Sequence, residues 1–211
     1  MWLYITKGGP VMIPIILGSL IGMAIIIDRL WVLWGLRLDT AAFAEEVFTL
    51  VKSRRITQAL ERCRRERHPL ALVLAAGLEQ RAASAAEMTQ AMEKMGNRCV
   101  RQLEQHLGGL TTVIGISPLL GFLGTITGLI RAFMTWERAG ANVTVSSLAS
   151  GIYEAMITTA AGLIIAIPCY VVYNYLISRI KGIAHELNDY GVELVGRVHA
   201  AGQPAHQEAA R

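Results

Sequence analysis

The chain has 211 residues, 53% of them hydrophobic and 17% charged, with a formal net charge of +4 and a mean hydropathy of +0.42. Those values exceed an ordinary soluble domain and fall short of a chain held wholly in lipid. The sequence has no catalytic signature or phosphate-binding glycine loop. Its five histidines lack metal-ligand spacing and Cys63, Cys99 and Cys169 lack paired spacing, which argues against an enzyme, a metal, a cofactor or a disulfide scaffold.

In chain order, the first apolar block runs from Gly8 to Ile27, uncharged for 20 residues; Leu107 to Ile130 and Ala155 to Ser178 are each uncharged for 24. Each is long enough to cross a hydrocarbon core of about 30 Å at 1.5 Å per residue. The expectation is an all-α integral membrane protein with three transmembrane helices. The first block could pass for a signal peptide, but only Lys7 precedes it and no small-residue cleavage site follows. It continues into Asp28-Arg29-Leu30-Trp31-Val32-Leu33-Trp34, whose rings and arginine suit an interface, so it reads as an uncleaved anchor.

Between spans one and two, Thr40 to Arg67 reads as amphipathic helix, with Phe43, Val47, Leu50 and Val51 on one side and a break at Arg54-Arg55. His68-Pro69 ends it, and Pro69 suits the first turn of a helix reaching about Ala82. Ser84-Ala85-Ala86-Glu87 has capping-box spacing. With no proline from Glu87 to Pro118, one long helix is expected to run from there into span two. Span three continues past Arg179 with Ile180, Ile183, Leu187, Tyr190, Leu194 and Val198 at three-to-four spacing, before a polar, disordered tail from Ala201 to Arg211.

Charge sets the orientation. Twelve of the 20 Lys and Arg residues lie between Arg37 and Arg101 and four more follow Ser178, whereas the loop after span two has only Glu137 and Arg138. The positive-inside rule therefore divides the chain as follows. Residues 1–36 form a short external N-terminus and span one, 37–106 a cytoplasmic helical segment, 107–136 span two, 137–146 an external loop, 147–178 span three and 179–211 a cytoplasmic helix and tail. The positive charge reflects this topology and implies no nucleic acid.

Glu154 is the only charged residue between Arg138 and Arg179. A carboxylate near the bilayer centre costs about 2.5 to 3.5 kcal/mol even on lenient scales, so it is rarely there without a use. Ser147, Ser150, Gly151, Thr158 and Ala161 share its face at helical spacing. A proton or cation pathway is the functional reading; a buried carboxyl bonded to a neighbouring helix, or one snorkelling outward, is the bland one. In span two, Pro118, Gly121, Thr125, Gly128 and Ala132 make a narrow small-residue face, and Gly124 and Gly128 a GxxxG pair, both compatible with close packing. Spacing puts Thr158 on the Glu154 face and rotates Thr159 by roughly 140°. Pro168 should loosen span three near Ile164. Asp28 beside Arg29 reads as an ion pair or a snorkelling group, and Arg131 as interfacial. Three spans with one acid enclose little alone, which argues for an oligomer with a central space that a partner fills. A scaffold that conducts nothing is the alternative.

Ser117-Pro118-Leu119-Leu120-Gly121-Phe122-Leu123-Gly124-Thr125-Ile126-Thr127-Gly128 resembles the second-span motif of the MotA/TolQ/ExbB proton-channel family. Gly151-Ile152-Tyr153-Glu154-Ala155-Met156-Ile157-Thr158-Thr159-Ala160-Ala161-Gly162-Leu163, with Ile167-Pro168 and Tyr173-Asn174 after it, resembles the third. The resemblance implies a homopentamer in a bacterial inner membrane, around two transmembrane helices of an ExbD/TolR-like partner, with a TonB/TolA-like protein further along. It aligns the family's pore threonine with Thr125, its acid with Glu154 and its span-three threonine with Thr159, where spacing favoured Thr158. It implies that the proton-carrying aspartate belongs to the partner. Three spans resemble the ExbB/TolQ branch, with the choice between those two open.

Overall fold

The computed structural model describes residues 8–36, 38–139 and 145–202. Expectations for the residues before Gly8, the tip of the 137–146 loop, the side chain of Ser147 and the tail beyond Gly202 fall outside them. Among the described residues there are seven helices and no strand: α1 Met12–Gly35, α2 Thr40–Lys52, α3 Ile56–Arg65, α4 Pro69–Glu79, α5 Ala85–Leu103, α6 Leu107–Ala139 and α7 Val145–Gly202. Three of them, α1, α6 and α7, are long and apolar enough to cross a membrane.

The chain falls into two compact units. One comprises Met1–Leu30 and His106–Leu176, the other Trp31–Gln105 and Ile177–Arg211. The second has a buried helical core. Asp39 caps α2 by accepting from the Ala42 amide at 3.1 Å, and the stripe below it buries Phe43, Val47, Phe48 and Val51. The backbone turns at Arg54, with φ +59, where the sequence placed its break. Pro69 opens α4 as expected, and His68 caps it through Nδ1, which accepts from the Leu70 amide at 3.2 Å. Helix α4 is apolar nearly all round because neighbours cover it: Leu70, Leu74 and Leu78 have no exposed surface. Full burial of such a side chain is worth about 1.5–3 kcal/mol. Ser84 and Glu87 form both halves of the capping box of α5, and those bonds to Ser84 hold the Glu87 carboxyl below its ordinary value. Met88 and Met92 of α5 and Leu187 and Leu194 of α7 complete the core. Gly77 is where α4 meets these last elements; a Cβ there would stand 2.5 Å from Met92 Sδ and 3.2 Å from Leu194 Cδ2.

The continuous helix expected from Glu87 is interrupted. Helix α5 stops at Leu103, His106 takes φ +66, and α6 starts at Leu107. A left-handed residue ends a helix locally, and Gly108-Gly109 directly after it are poor helix propagators; proline was not needed for the break.

In the first unit α1 packs through its small residues. A Cβ on Gly22 would meet Val113 at 3.3 Å and Cys169 Sγ at 3.4 Å, and one on Gly109 would meet Ile25 at 3.1 Å. Asp28 accepts from Arg29 at 2.6 Å and lies 3.4 Å from His106 Nδ1, so the ion-pair reading of Asp28 holds. Large apolar side chains such as Leu119, Phe122, Met156, Ile164 and Val171 stay exposed, as expected where the solvent is lipid.

Candidate functional site

The site is built on the pairing of α6 with α7. Glycine removes side-chain bulk and lets two helical backbones touch in lipid, where small residues are the usual means of close approach. A Cβ on Gly121 would stand 2.9 Å from the Thr158 carbonyl oxygen, and one on Gly128 would stand 2.8 Å from that of Gly151. Reciprocally, a Cβ on Gly151 would stand 2.7 Å from the Gly128 carbonyl oxygen, and one on Gly162 would run into that of Ser117. Contacts step down one helix as they step up the other, so the pair is antiparallel.

The face that α6 turns to α7 is Ser117, Gly121, Gly124, Gly128 and Ala132, all buried. This corrects the face expected from spacing, Pro118-Gly121-Thr125-Gly128-Ala132: Pro118 and Thr125 lie at its margins, half-buried. Steps of three and four both approximate the helical period, so one wrong step rotates the reading towards a neighbouring residue. Thr125 donates to the carbonyl of Phe122 at 2.6 Å, within its own helix. On α7, Gly151 is buried at the contact, Ser150 is exposed, and Pro168 is exposed rather than packed. Helix α7 continues as one helix through Pro168.

The two threonines divide their tasks. Thr158 has no exposed surface; it fills the space over Gly124 and donates to its own carbonyls, Glu154 at 3.0 Å and Ala155 at 2.9 Å. Thr159 reaches across and donates to the Gly121 carbonyl at 3.1 Å, a bond from one span to the backbone of the other. Such interhelical bonds average about 0.6 kcal/mol in membranes. The hydroxyl favoured by spacing is thus sealed between the helices, while the one singled out by the motif spans their seam.

Glu154 is 12% exposed and pairs with Arg131 of α6. Arg131 Nη1 donates to both carboxylate oxygens, at 2.6 and 2.8 Å. The expectation for Arg131 as a plain interfacial residue missed this partner. Arg131 and Glu154 each sit about a dozen residues from the middle of the loop joining their helices; folding the sequence about that loop would have matched them. At about 1.5 Å per residue, Glu154 lies about 14 Å along α7 from Val145. The third wall is Gly9, with φ +66; a Cβ there would run into Glu154 Oε1. The site therefore holds one carboxylate, one guanidinium and a seam of hydroxyl and glycine. It can exchange protons and charge partners. Among the described residues no cluster of three or more His, Cys, Asp or Glu could hold a metal.

Comparison with known proteins places the chain in a family. The model of the MotA/TolQ/ExbB proton channel family matches residues 65–189, more than half of the chain. A Synechocystis protein named putative biopolymer transport protein ExbB-like 1 is 34% identical over 180 residues, covering 82% of this chain and 68% of that protein. The Tol-Pal system protein TolQ of Haemophilus influenzae is 36% identical over 119 residues, covering 56% of this chain and 52% of TolQ. The Pseudomonas putida biopolymer transport protein ExbB is 24% identical over 200 residues, 90% of this chain and 60% of ExbB. The chain thus spans about half to two thirds of the length of these relatives. It belongs to the MotA/TolQ/ExbB proton channel family, in its ExbB/TolQ branch, and is a multi-pass membrane protein.

Proposed function

We propose that this chain is the channel-forming stator subunit of a bacterial inner-membrane motor driven by the proton motive force. In this reading it assembles as a homopentamer around an ExbD/TolR-like single-span partner, with its N-terminus periplasmic and its C-terminus cytoplasmic. A TonB-like protein would carry the work onward to import across the outer membrane. The observation that carries the reading is Glu154, an acid held in an apolar helix pair and walled by Gly9, Arg131 and the threonine seam, in a chain of a proton-channel family.

The proton would pass between a carboxyl on the partner and Glu154. Thr125 and Thr159 would offer hydroxyls beside the path, each able to accept from water while its own proton stays bonded to a backbone carbonyl. Gly121, Gly124, Gly128 and Gly151 would keep α6 and α7 one rigid wall, so that proton arrival turns the subunit against its partner instead of deforming it. The driving force is adequate: one charge crossing 100 mV is worth about 2.3 kcal/mol, and each pH unit adds about 1.36 kcal/mol. The test is energised work in the native cell. Glu154→Ala and Thr159→Val should abolish it while the purified complex keeps its size; full activity in both variants refutes the reading.

The likeness to TolQ favours a second destination for the same motor, maintenance of the cell envelope through a TolA-like protein. Deleting the gene separates them: loss of receptor-mediated nutrient uptake supports the first, and detergent sensitivity with normal uptake the second.

A further inference from the structure

Arg131 is the charged residue of the site that the family motifs did not single out. The Arg131 side chain is 48% exposed while that of Glu154, which it binds, is 12% exposed. Arg131 is thus the more accessible member of the pair, and Gly9 lies beside both. A Cβ on Gly9 would stand 2.8 Å from Glu154 Cδ and 3.3 Å from Arg131 Nη1, so the bare backbone there is what leaves room for the pair. The other charged side chains of this unit among the described residues are elsewhere. Asp28, Arg29 and His106 bond among themselves, and Glu137 and Arg138 lie about 9 Å or more further along α6.

We propose that Arg131 is a positioning residue for Glu154, a withdrawable counter-ion that holds the carboxylate against α6 until a proton replaces it. The inference rests on the proton-path reading above. Two N–H···O bonds break as one O–H bond forms on Glu154; the pair passes from neutral to one net positive charge, carried by the freed guanidinium. An unpaired carboxylate in apolar surroundings is costly, so the acid takes up the proton as the cation leaves. Arg131, already half in contact with the outside, turns its long stem towards the interface. Proton arrival is thereby tied to a side-chain movement between α6 and the surface, and a subunit without the cation would bind protons without being reset by it.

Because a single nitrogen makes both bonds, lysine can reproduce the pair; a guanidinium used through two nitrogens could not be replaced so simply. The full-length protein in liposomes is treated at pH 7.5 with dicyclohexylcarbodiimide, which attacks the protonated carboxyl, and the adduct at Glu154 is quantified by mass spectrometry with E154Q as blank. R131M should label faster than wild type, because the nitrogen that engages both carboxylate oxygens is gone, while R131K stays near wild type. Should R131M fail to assemble, R131Q is the replacement, with the same expected gain. Labelling of R131M or R131Q at the wild-type rate, or an equal gain in R131K, overturns the proposal. The assay needs no proton flow, so its failure leaves the conduction of Glu154 standing, and the reverse is equally visible.

Discussion

The tightest point of the paired spans is Gly124 against Thr158, and adding one methyl there tests the packing argument. In G124A the new Cβ would overlap the Thr158 hydroxyl and Cβ and stand 2.9 Å from its methyl. Thr158 cannot simply turn away, because its hydroxyl is held by the Glu154 and Ala155 carbonyls and its branched χ1 has few alternatives. The helices must separate instead. Overpacking of this kind costs about 1–3 kcal/mol, and losing the Thr159 bond to Gly121 adds about 0.6 kcal/mol, for a total of about 2–4 kcal/mol. The assay is reversible unfolding of the purified chain in mixed micelles, titrated with SDS. Because the obstruction is local, the same substitution made in a T158G background should cost less than about 1 kcal/mol, and the difference from wild type is the coupling expected of residues in direct contact. If G124A is as stable as wild type, or costs as much in the T158G background, the close-contact account of α6 and α7 is wrong.

Two further outcomes concern the second unit. Burial holds the His68 imidazole below its ordinary value of 6.5, against the opposing pull of Glu186 and Glu66. The unfolded chain then binds the proton more readily, so the stabilisation is present above about pH 6.5 and is lost as the pH falls through the folded value. Thermal unfolding between pH 7.5 and 5 should show a steeper loss for wild type than for H68N, which offers a cap without a titrating ring; equal slopes would refute this. Burial likewise pushes the Cys63 thiol up to about 11. Iodoacetamide at pH 7.5 should therefore modify Cys63 about a hundredfold more slowly than an ordinary thiol until the protein is unfolded, and rapid labelling of the native protein would contradict the core packing.

The spans were legible because lipid imposes a strong rule: three uncharged blocks of sufficient length admit little else. The caps at Pro69 and Ser84 and the break at Arg54 were legible for local reasons, each set by one or two residues. The break at His106 was not, since neither proline nor a capping pattern marks it and its left-handed backbone is a property of one ordinary residue. At the site, Glu154 announced itself by solitude, whereas its partner did not. Arg131 looks interfacial when α6 is read alone, and only the antiparallel pairing with α7 brings it to the carboxylate. The threonines show the same limit. Adjacent hydroxyls point about 100° apart on a helix, so periodicity told which one shares the Glu154 face but not which one reaches across to α6; the motif pointed to Thr159 where periodicity pointed to Thr158.

The central claim is that the Glu154 carboxyl carries protons through this protein when its partner is in place. Proton flux measured with a pH-sensitive dye in liposomes holding the complex purified from cells, under an imposed potential, addresses it directly. Flux should be present for wild type and fall to the lipid background for E154Q, a change that keeps the shape of the side chain and removes its exchangeable charge. Wild-type flux through E154Q complexes of normal composition would contradict it.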